Sequence, residues 1–153
     1  MARAATTEGK VKAISISEQR GTPKSNVPAV RLSVGLGIEG DAHAGRWHRQ
    51  LSLLGIESIA KMNTRGAEVG PGDFAENITT EGIDLLRLPV GTRLRLGAEC
   101  EIEVTQLGKV CHDRCEIFKR VGDCIMPREG IFAKVLKGGE IRAGDCIKVI
   151  DDG

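Results

Sequence analysis

The densest chemistry in the chain lies at Gln106-Leu-Gly-Lys109-Val-Cys111-His112-Asp113-Arg114-Cys115, with Cys124 following. Cys111 stands where a strand pattern gives way to helical composition. A helix N-terminus and the cations Lys109, His112 and Arg114 all stabilise a thiolate over a thiol. A thiolate of this kind attacks electrophiles, carries sulfur or binds a soft metal. Cys115 lies four positions on, close enough to share a helix face with Cys111. With Cys124 the set reads C-x3-C-x8-C, which serves a resolving thiol or, with His112 as fourth ligand, zinc. It lacks the C-x2-C pair of the standard zinc frameworks. Inert packing is the competing reading for all three thiols. Cys100 and Cys146 fall inside strand patterns and read as core thiols.

A second cluster runs through Gly40-Asp41-Ala-His43-Ala-Gly45-Arg46-Trp47-His48-Arg49. The cluster reads as a glycine-shaped pocket wall, with Asp41 counted among its cofactor-binding residues and His43, Arg46, His48 and Arg49 offering cations and imidazole donors to an anionic ligand. The five-residue spacing of the histidines is not that of a helical metal pair. A solvated loop with Asp41 capping a turn is the plainer alternative. Glu76 and Asn77, at the entry to a strand, either orient a ligand or satisfy backbone groups there. Gly35-Leu-Gly-Ile-Glu-Gly40 is a literal G-x-G-x-x-G, but Asp41 and Gly45 follow it where a phosphate-binding helix would have to open. It reads as a turn-rich loop. Arg128, in the Pro127–Gly130 loop, is either a cover for an anion or part of a shaped turn.

These groups must be positioned by short elements. Alternation predicts strands at Lys10–Ser17, Ala29–Val34, Gln50–Leu54, Glu76–Glu81, Thr92–Leu96, Cys100–Thr105, Ile131–Leu136 and Cys146–Ile150. Helical patterns fall at Ile56–Met62, with Ile56, Ile59 and Ala60 on one face, at Ile83–Leu86 and at Asp113–Val121. Gln19–Pro28 reads as a loop, and Gly138-Gly139 as the link between the last two strands. Val90-Gly-Thr-Arg-Leu-Arg-Leu96 echoes Ala143-Gly-Asp-Cys-Ile-Lys-Val149, a Gly turn feeding an alternating strand, as suits the corners of a closed barrel. The expectation is one mainly β domain over residues 9–153, with two or three short helices and a loose tail at 1–8.

Composition sets the outer limits. With 153 residues, 22 Lys+Arg against 21 Asp+Glu and only four aromatic residues, the chain has neither the basic field nor the stacking rings of most nucleic-acid binders. No apolar run reaches the roughly 18 residues of a membrane span, and the first residues lack a secretory apolar stretch. Five cysteines without such a signal argue against a complete disulfide framework. A cytoplasmic protein with no nucleic-acid or membrane partner is the expectation.

Gly40-Asp41-Ala-His43-Ala-Gly45 running into Arg49, then Glu76-Asn77-Ile-Thr79, Gln106 followed five on by Cys111, and Gly144-Asp145 resemble MOSC domains in order and spacing. These domains are named for the C-terminal domain of molybdenum cofactor sulfurase, and the resemblance spans about Val11 to Val149. It looks like a stand-alone bacterial-type member. The resemblance implies a closed β-barrel of the kind also seen in a pyruvate kinase domain. It also implies a role with molybdenum cofactor (molybdopterin). Cys111 would carry a persulfide or ligate molybdenum, His43, Arg49 and Asn77 would stand in the pocket wall, and Asp41 and Glu76 would shape it. Better-known members have an Arg two after the Gln; here Gly108 stands there and Lys109 follows. The pyridoxal-phosphate domain of the full sulfurase is absent, so no pyridoxal phosphate is expected.

Three functions follow as expectations. The first is a domain that binds the pterin cofactor and carries sulfur on Cys111, with sulfur-donor or cofactor-biosynthesis proteins as partners. The second is a small molybdenum-dependent reductase of N-hydroxylated substrates. The third is a non-enzymatic module stabilised by zinc at Cys111, Cys115 and Cys124.

Overall fold

Strict alternation of aliphatic and polar residues builds a barrel wall that is apolar on its inner side. The computed structural model describes residues 8–18, 24–42, 44–47, 49–64, 66, 68–108 and 129–151. In chain order the strands are β1 (Glu8–Ile16), β2 (Ser25–Val27), β3 (Ala29–Ser33), β4 (Gly37–Ile38), β5 (Leu51–Gly55), β6 (Ile78–Glu81), β7 (Arg93–Leu96), β8 (Cys100–Leu107), β9 (Ile131–Lys137), β10 (Gly139–Arg142) and β11 (Cys146–Asp151). One α-helix, α1 (Ile56–Thr64), follows β5 directly, and a 3-10 turn spans Leu85–Arg87.

Strands pair in the order β11-β7-β8-β9-β5-β6-β1, and β1 pairs back onto β11, closing a seven-stranded barrel. Closure removes the sheet edges that would otherwise offer unpaired backbone groups. β2 extends β1 as an outer arm, and β10-β3-β4 form a small second sheet. Every pairing is antiparallel except β5 with β6. A parallel neighbour needs a long crossover, and α1 with the turn-rich segment after it supplies that connection.

The barrel interior holds Leu51, Leu53, Ile78, Leu94, Leu96, Ile102, Val104, Ile131, Ala133, Val135 and Ile147 among its buried residues. Each large aliphatic side chain buried here contributes about 1.5–3 kcal/mol. β5 is buried along its whole length, because α1 covers its outer side. There Leu54, Ile59, Met62, Phe74 and Phe132 form a second apolar cluster outside the barrel.

The mainly β barrel anticipated from sequence is what the structure holds. The echoed segments turn out to be neighbours. β7 and β11 pair antiparallel, Leu96 opposite Ile147 and Leu94 opposite Val149, each entered through a glycine with positive φ, Gly91 at 99° and Gly144 at 97°.

Several expectations need correction. The Gln19–Pro28 loop contains β2, the Gly35–Arg49 loop contains β4, and β10 starts at Gly139 inside what read as a link. All three are short strands, β4 of 2 residues, β2 of 3 and β10 of 4, too short for alternation to stand out from a loop. In α1 the buried face is Ile59 and Met62, with Ala60 exposed. Cys146 is exposed rather than core: Ile147 takes the inward position, so its neighbour in a pleated strand faces out. Cys100 is buried as expected. One α-helix and one 3-10 turn are present among the described residues; the helix expected at Asp113–Val121 lies outside them.

Candidate functional site

β8 and β9 form a hairpin whose arms close at two glycines, the Gly108 N–H donating to the Gly130 carbonyl at 2.7 Å. This closure is the end of the described hairpin, since residues 109–128 lie outside the described residues. Just inside it, a register irregularity between Val104 and Gln106 sets Gln106 opposite Phe132. The Gln106 amide bridges two elements. Its Nε2 donates to the Gly108 carbonyl at 2.7 Å, and its Oε1 accepts from Arg49 Nε at 3.0 Å.

Arg49 arrives from the loop before β5. Its guanidinium lies 5.2 Å from the centre of the Phe132 ring and 6.0 Å from that of Trp47. Aromatic faces hold a guanidinium in place electrostatically without using its N–H donors. Among the described residues, no acceptor and no carboxylate takes either terminal amino group. A half-buried cation tethered through Nε alone keeps its two-pronged fork for an oxyanion.

Asp41 is placed quite differently. Its Oδ1 meets Lys24 Nζ at 2.8 Å with both side chains wholly buried, and it also accepts the Ser17 N–H at 3.0 Å. Lys24 Nζ donates in addition to Ser17 Oγ at 2.9 Å. Burial pushes the Lys24 ammonium below its ordinary range, and the Asp41 carboxylate pulls it back up. Asp41 thus pins the end of β1 and the chain before β2 to the start of the Arg46–Arg49 loop.

Glu76 and Asn77 are both buried and turned toward the protein. Glu76 accepts from the Gly72 N–H at 2.9 Å, the Phe74 N–H at 3.2 Å and Thr79 Oγ1 at 2.8 Å. Burial raises its carboxyl above the usual range, and these hydrogen bonds pull it down. The turn it organises needs glycine: at Gly72, φ is +92°, and a Cβ would lie 2.4 Å from the Lys24 carbonyl. Asn77 ties three strands together. Its Oδ1 accepts from the Ser52 N–H at 3.0 Å, its Nδ2 donates to the Ser15 carbonyl at 3.2 Å, and its own carbonyl accepts from the Ser15 N–H at 2.7 Å.

Of the site residues read from sequence, the structure brings Arg49 together with Gln106, and Arg46 lies exposed on the same loop. Asp41, Glu76 and Asn77 support the loops and strands around them. His43, His48, Lys109, Cys111, His112, Arg114, Cys115, Cys124 and Arg128 lie outside the described residues. Among the described residues, no group of three or more His, Cys, Asp or Glu could hold a metal ion, and no helix is long and apolar enough to cross a membrane. Sequence reasoning missed Lys24, whose partner is 17 positions away, and Phe132. It also gave no site role to Trp47, although a tryptophan between two arginines is a signal that could have raised one.

The sequence pattern of the MOSC domain matches residues 40–148. No curated protein matches in sequence. Among solved structures, the YuaD protein from Bacillus subtilis superposes with a TM-score of 0.78 at 20% identity, covering 93% of this chain and 95% of that one. YiiM from Geobacillus stearothermophilus does so with a TM-score of 0.71 at 17% identity, covering 94% and 75%. YiiM from Escherichia coli follows at 0.65 and 19%, covering 92% and 69%. At these identities the likeness speaks for the fold.

Proposed function

We propose that this chain, which belongs to the MOSC domain family, binds the anionic end of molybdenum cofactor at Arg49 and handles sulfur for it on Cys111. The observation that carries the reading is the Arg49 guanidinium, held by Gln106 and two aromatic rings with its terminal amino groups uncommitted among the described residues. That donor set fits the phosphate of a pterin cofactor, which matches a planar fork of N–H groups. When bound, the cofactor supplies a metal centre for sulfur or oxygen-atom chemistry.

Cys111 stands three residues after Gly108 in the sequence. Lys109, His112 and Arg114 favour its thiolate. Sulfur loading needs no external oxidant. The Cys111 thiolate attacks the outer sulfur of a donor persulfide, a new S–S bond forms, the donor's S–S bond breaks, and the donor leaves as a thiolate. The proton of the transferred sulfhydryl stays with that sulfur. A sulfur-donor protein and a cofactor-biosynthesis protein are the partners this role requires.

The test has two arms. Anaerobic treatment with a persulfide donor, followed by intact mass measurement, should add one sulfur atom to the native chain and none to Cys111→Ser. Sulfur gained by Cys111→Ser overturns the carrier role. Protein purified anaerobically should contain molybdenum and pterin, and Arg49→Ala should lose them. Stoichiometric zinc that survives dialysis and disappears in Cys115→Ser would instead establish the zinc-stabilised module.

A further inference from the structure

The parallel pair β5 and β6 sets Gly55 beside Thr80. Gly55 stands two residues after Leu53 and Thr80 two after Ile78, both of them barrel-interior residues, so each faces the same inward side. Thr80 is wholly buried. Its Oγ1 and that of Thr92 are the buried side-chain polar atoms without a hydrogen-bond partner among the described residues. An orphaned buried hydroxyl is costly unless something outside the chain completes it.

Gly55 leaves room beside that hydroxyl. Its φ lies outside the left-handed region, so the backbone there does not call for glycine. A Cβ at Gly55 would come 2.9 Å from Glu57 Oε1 and 3.7 Å from Thr80 Oγ1. Both oxygens therefore border the cradle left by the missing side chain. Gly55 in turn lines an open cleft of about 450 Å³ at the C-terminal ends of β5 and β6, framed also by Glu57, Ile83, Asp84, Leu86 and Glu129. That volume is within the usual range of small-molecule sites.

Charge gives the cleft its direction. Glu129 meets Lys61 at 3.0 Å, and Asp84 meets Arg87 at 3.4 Å. Glu57 forms no ion pair among the described residues. Its Oε2 accepts from the Gly82 N–H at 2.8 Å, and its Oε1 borders the cradle. A carboxylate in the first turn of α1 is favoured by the helix dipole, but the dipole does not account for the orphaned hydroxyl. One carboxylate oxygen and one hydroxyl are too few ligands for a divalent cation, and among the described residues no three His, Cys, Asp or Glu could hold one. They suit a cationic N–H donor instead. Ile83 and Leu85 are buried beside them and Leu86 is 42% exposed, an aliphatic wall for a short apolar body.

We infer that this cleft binds a small organic cation, an ammonium group on a short aliphatic body, whose N–H groups reach Glu57 Oε1 and Thr80 Oγ1 through the Gly55 cradle. Neither Arg49 nor Cys111 takes part, so this site and the proposed function stand or fall separately.

Titration of the 15N-labelled chain with 3-methylbutan-1-amine at neutral pH should give saturable amide shifts at Gly55, Thr80 and Gly82. The uncharged 3-methylbutan-1-ol, of the same shape, should bind about tenfold more weakly. Glu57→Gln should weaken the amine by about tenfold and leave the alcohol within about twofold. Thr80→Val is the sharper variant. Removing an orphaned hydroxyl should leave the melting temperature unchanged or raised, yet weaken the amine by about fivefold. Gly55→Ala, whose Cβ fills the cradle, should weaken both probes. Non-saturable shifts, or equal binding of amine and alcohol, overturn the inference. So does Thr80→Val that melts lower with amine affinity unchanged, because the hydroxyl then has a partner within the chain.

Discussion

Lys24 and Arg49 are both cations drawn into the protein, and their surroundings differ in one respect. Lys24 is wholly buried and matched by Asp41 at 2.8 Å, with Ser17 taking a second donor. Arg49 is half-buried and matched by rings and one amide oxygen, with no carboxylate among the described residues. A buried charge whose partner comes from the same chain holds that chain in place. One whose partner is withheld keeps binding capacity for something else. The first arrangement positions the loop; the second lets the loop bind.

The largest effect should come from breaking the matched pair. Lys24→Met strands the Asp41 carboxylate in the interior and should cost about 3–5 kcal/mol in urea unfolding. The double variant Lys24→Met/Asp41→Leu should recover part of that loss, because it removes the stranded charge but leaves the Ser17 N–H without the acceptor it has at 3.0 Å. A double variant as unstable as the single one would mean that Asp41 has a further structural duty.

Glu76, whose charge also acts on Lys24, should come next. Glu76→Gln places an amide N–H against backbone donors and should cost about 1–3 kcal/mol at neutral pH. Its pH signature has a definite sign. The folded pKa is raised above the unfolded value of about 4.3, so on acidification the folded state takes up the proton first. Stability contributed by this group therefore rises as pH falls through the raised pKa, and is fully present below the unfolded one. Glu76→Gln should flatten that part of the profile, measured by chemical unfolding at a series of pH values.

Arg49→Ala should be milder for the fold, about 1 kcal/mol for the lost ring contacts, yet should empty the anion site. Loss of stability comparable to Lys24→Met, with retained molybdenum and pterin, would make Arg49 a structural cation and erase the contrast. Gln106→Glu should have a similar effect on stability, about 1 kcal/mol, because the new carboxylate pairs with the guanidinium but loses the amide donor to the Gly108 carbonyl. Cofactor content should nevertheless fall, since the free fork now has a partner from the chain.

Much of the barrel was legible because period-two alternation is a local property. Leu94 and Leu96, or Ile102 and Val104, declare an inward face without reference to any partner. β2, β4 and β10 were not legible, since strands of 2 to 4 residues hold too few alternations to stand out from a loop. Arg49 was legible as an anion ligand by type and company. Lys24 was not: it sits among prolines and polar residues, and its burial depends on Asp41 arriving from beyond β4.

From the sequence alone came the fold class, the family resemblance now met by the MOSC pattern over residues 40–148, and the cationic setting of Cys111. Those are matters of residue type and near-neighbour spacing. Only the tertiary structure decided which charged residues face each other. It set Asp41 against Lys24, brought Arg49 to Gln106 and two rings, and turned Cys146 outward. Pairing across a closed barrel depends on register and closure, which bring together atoms that no local spacing connects.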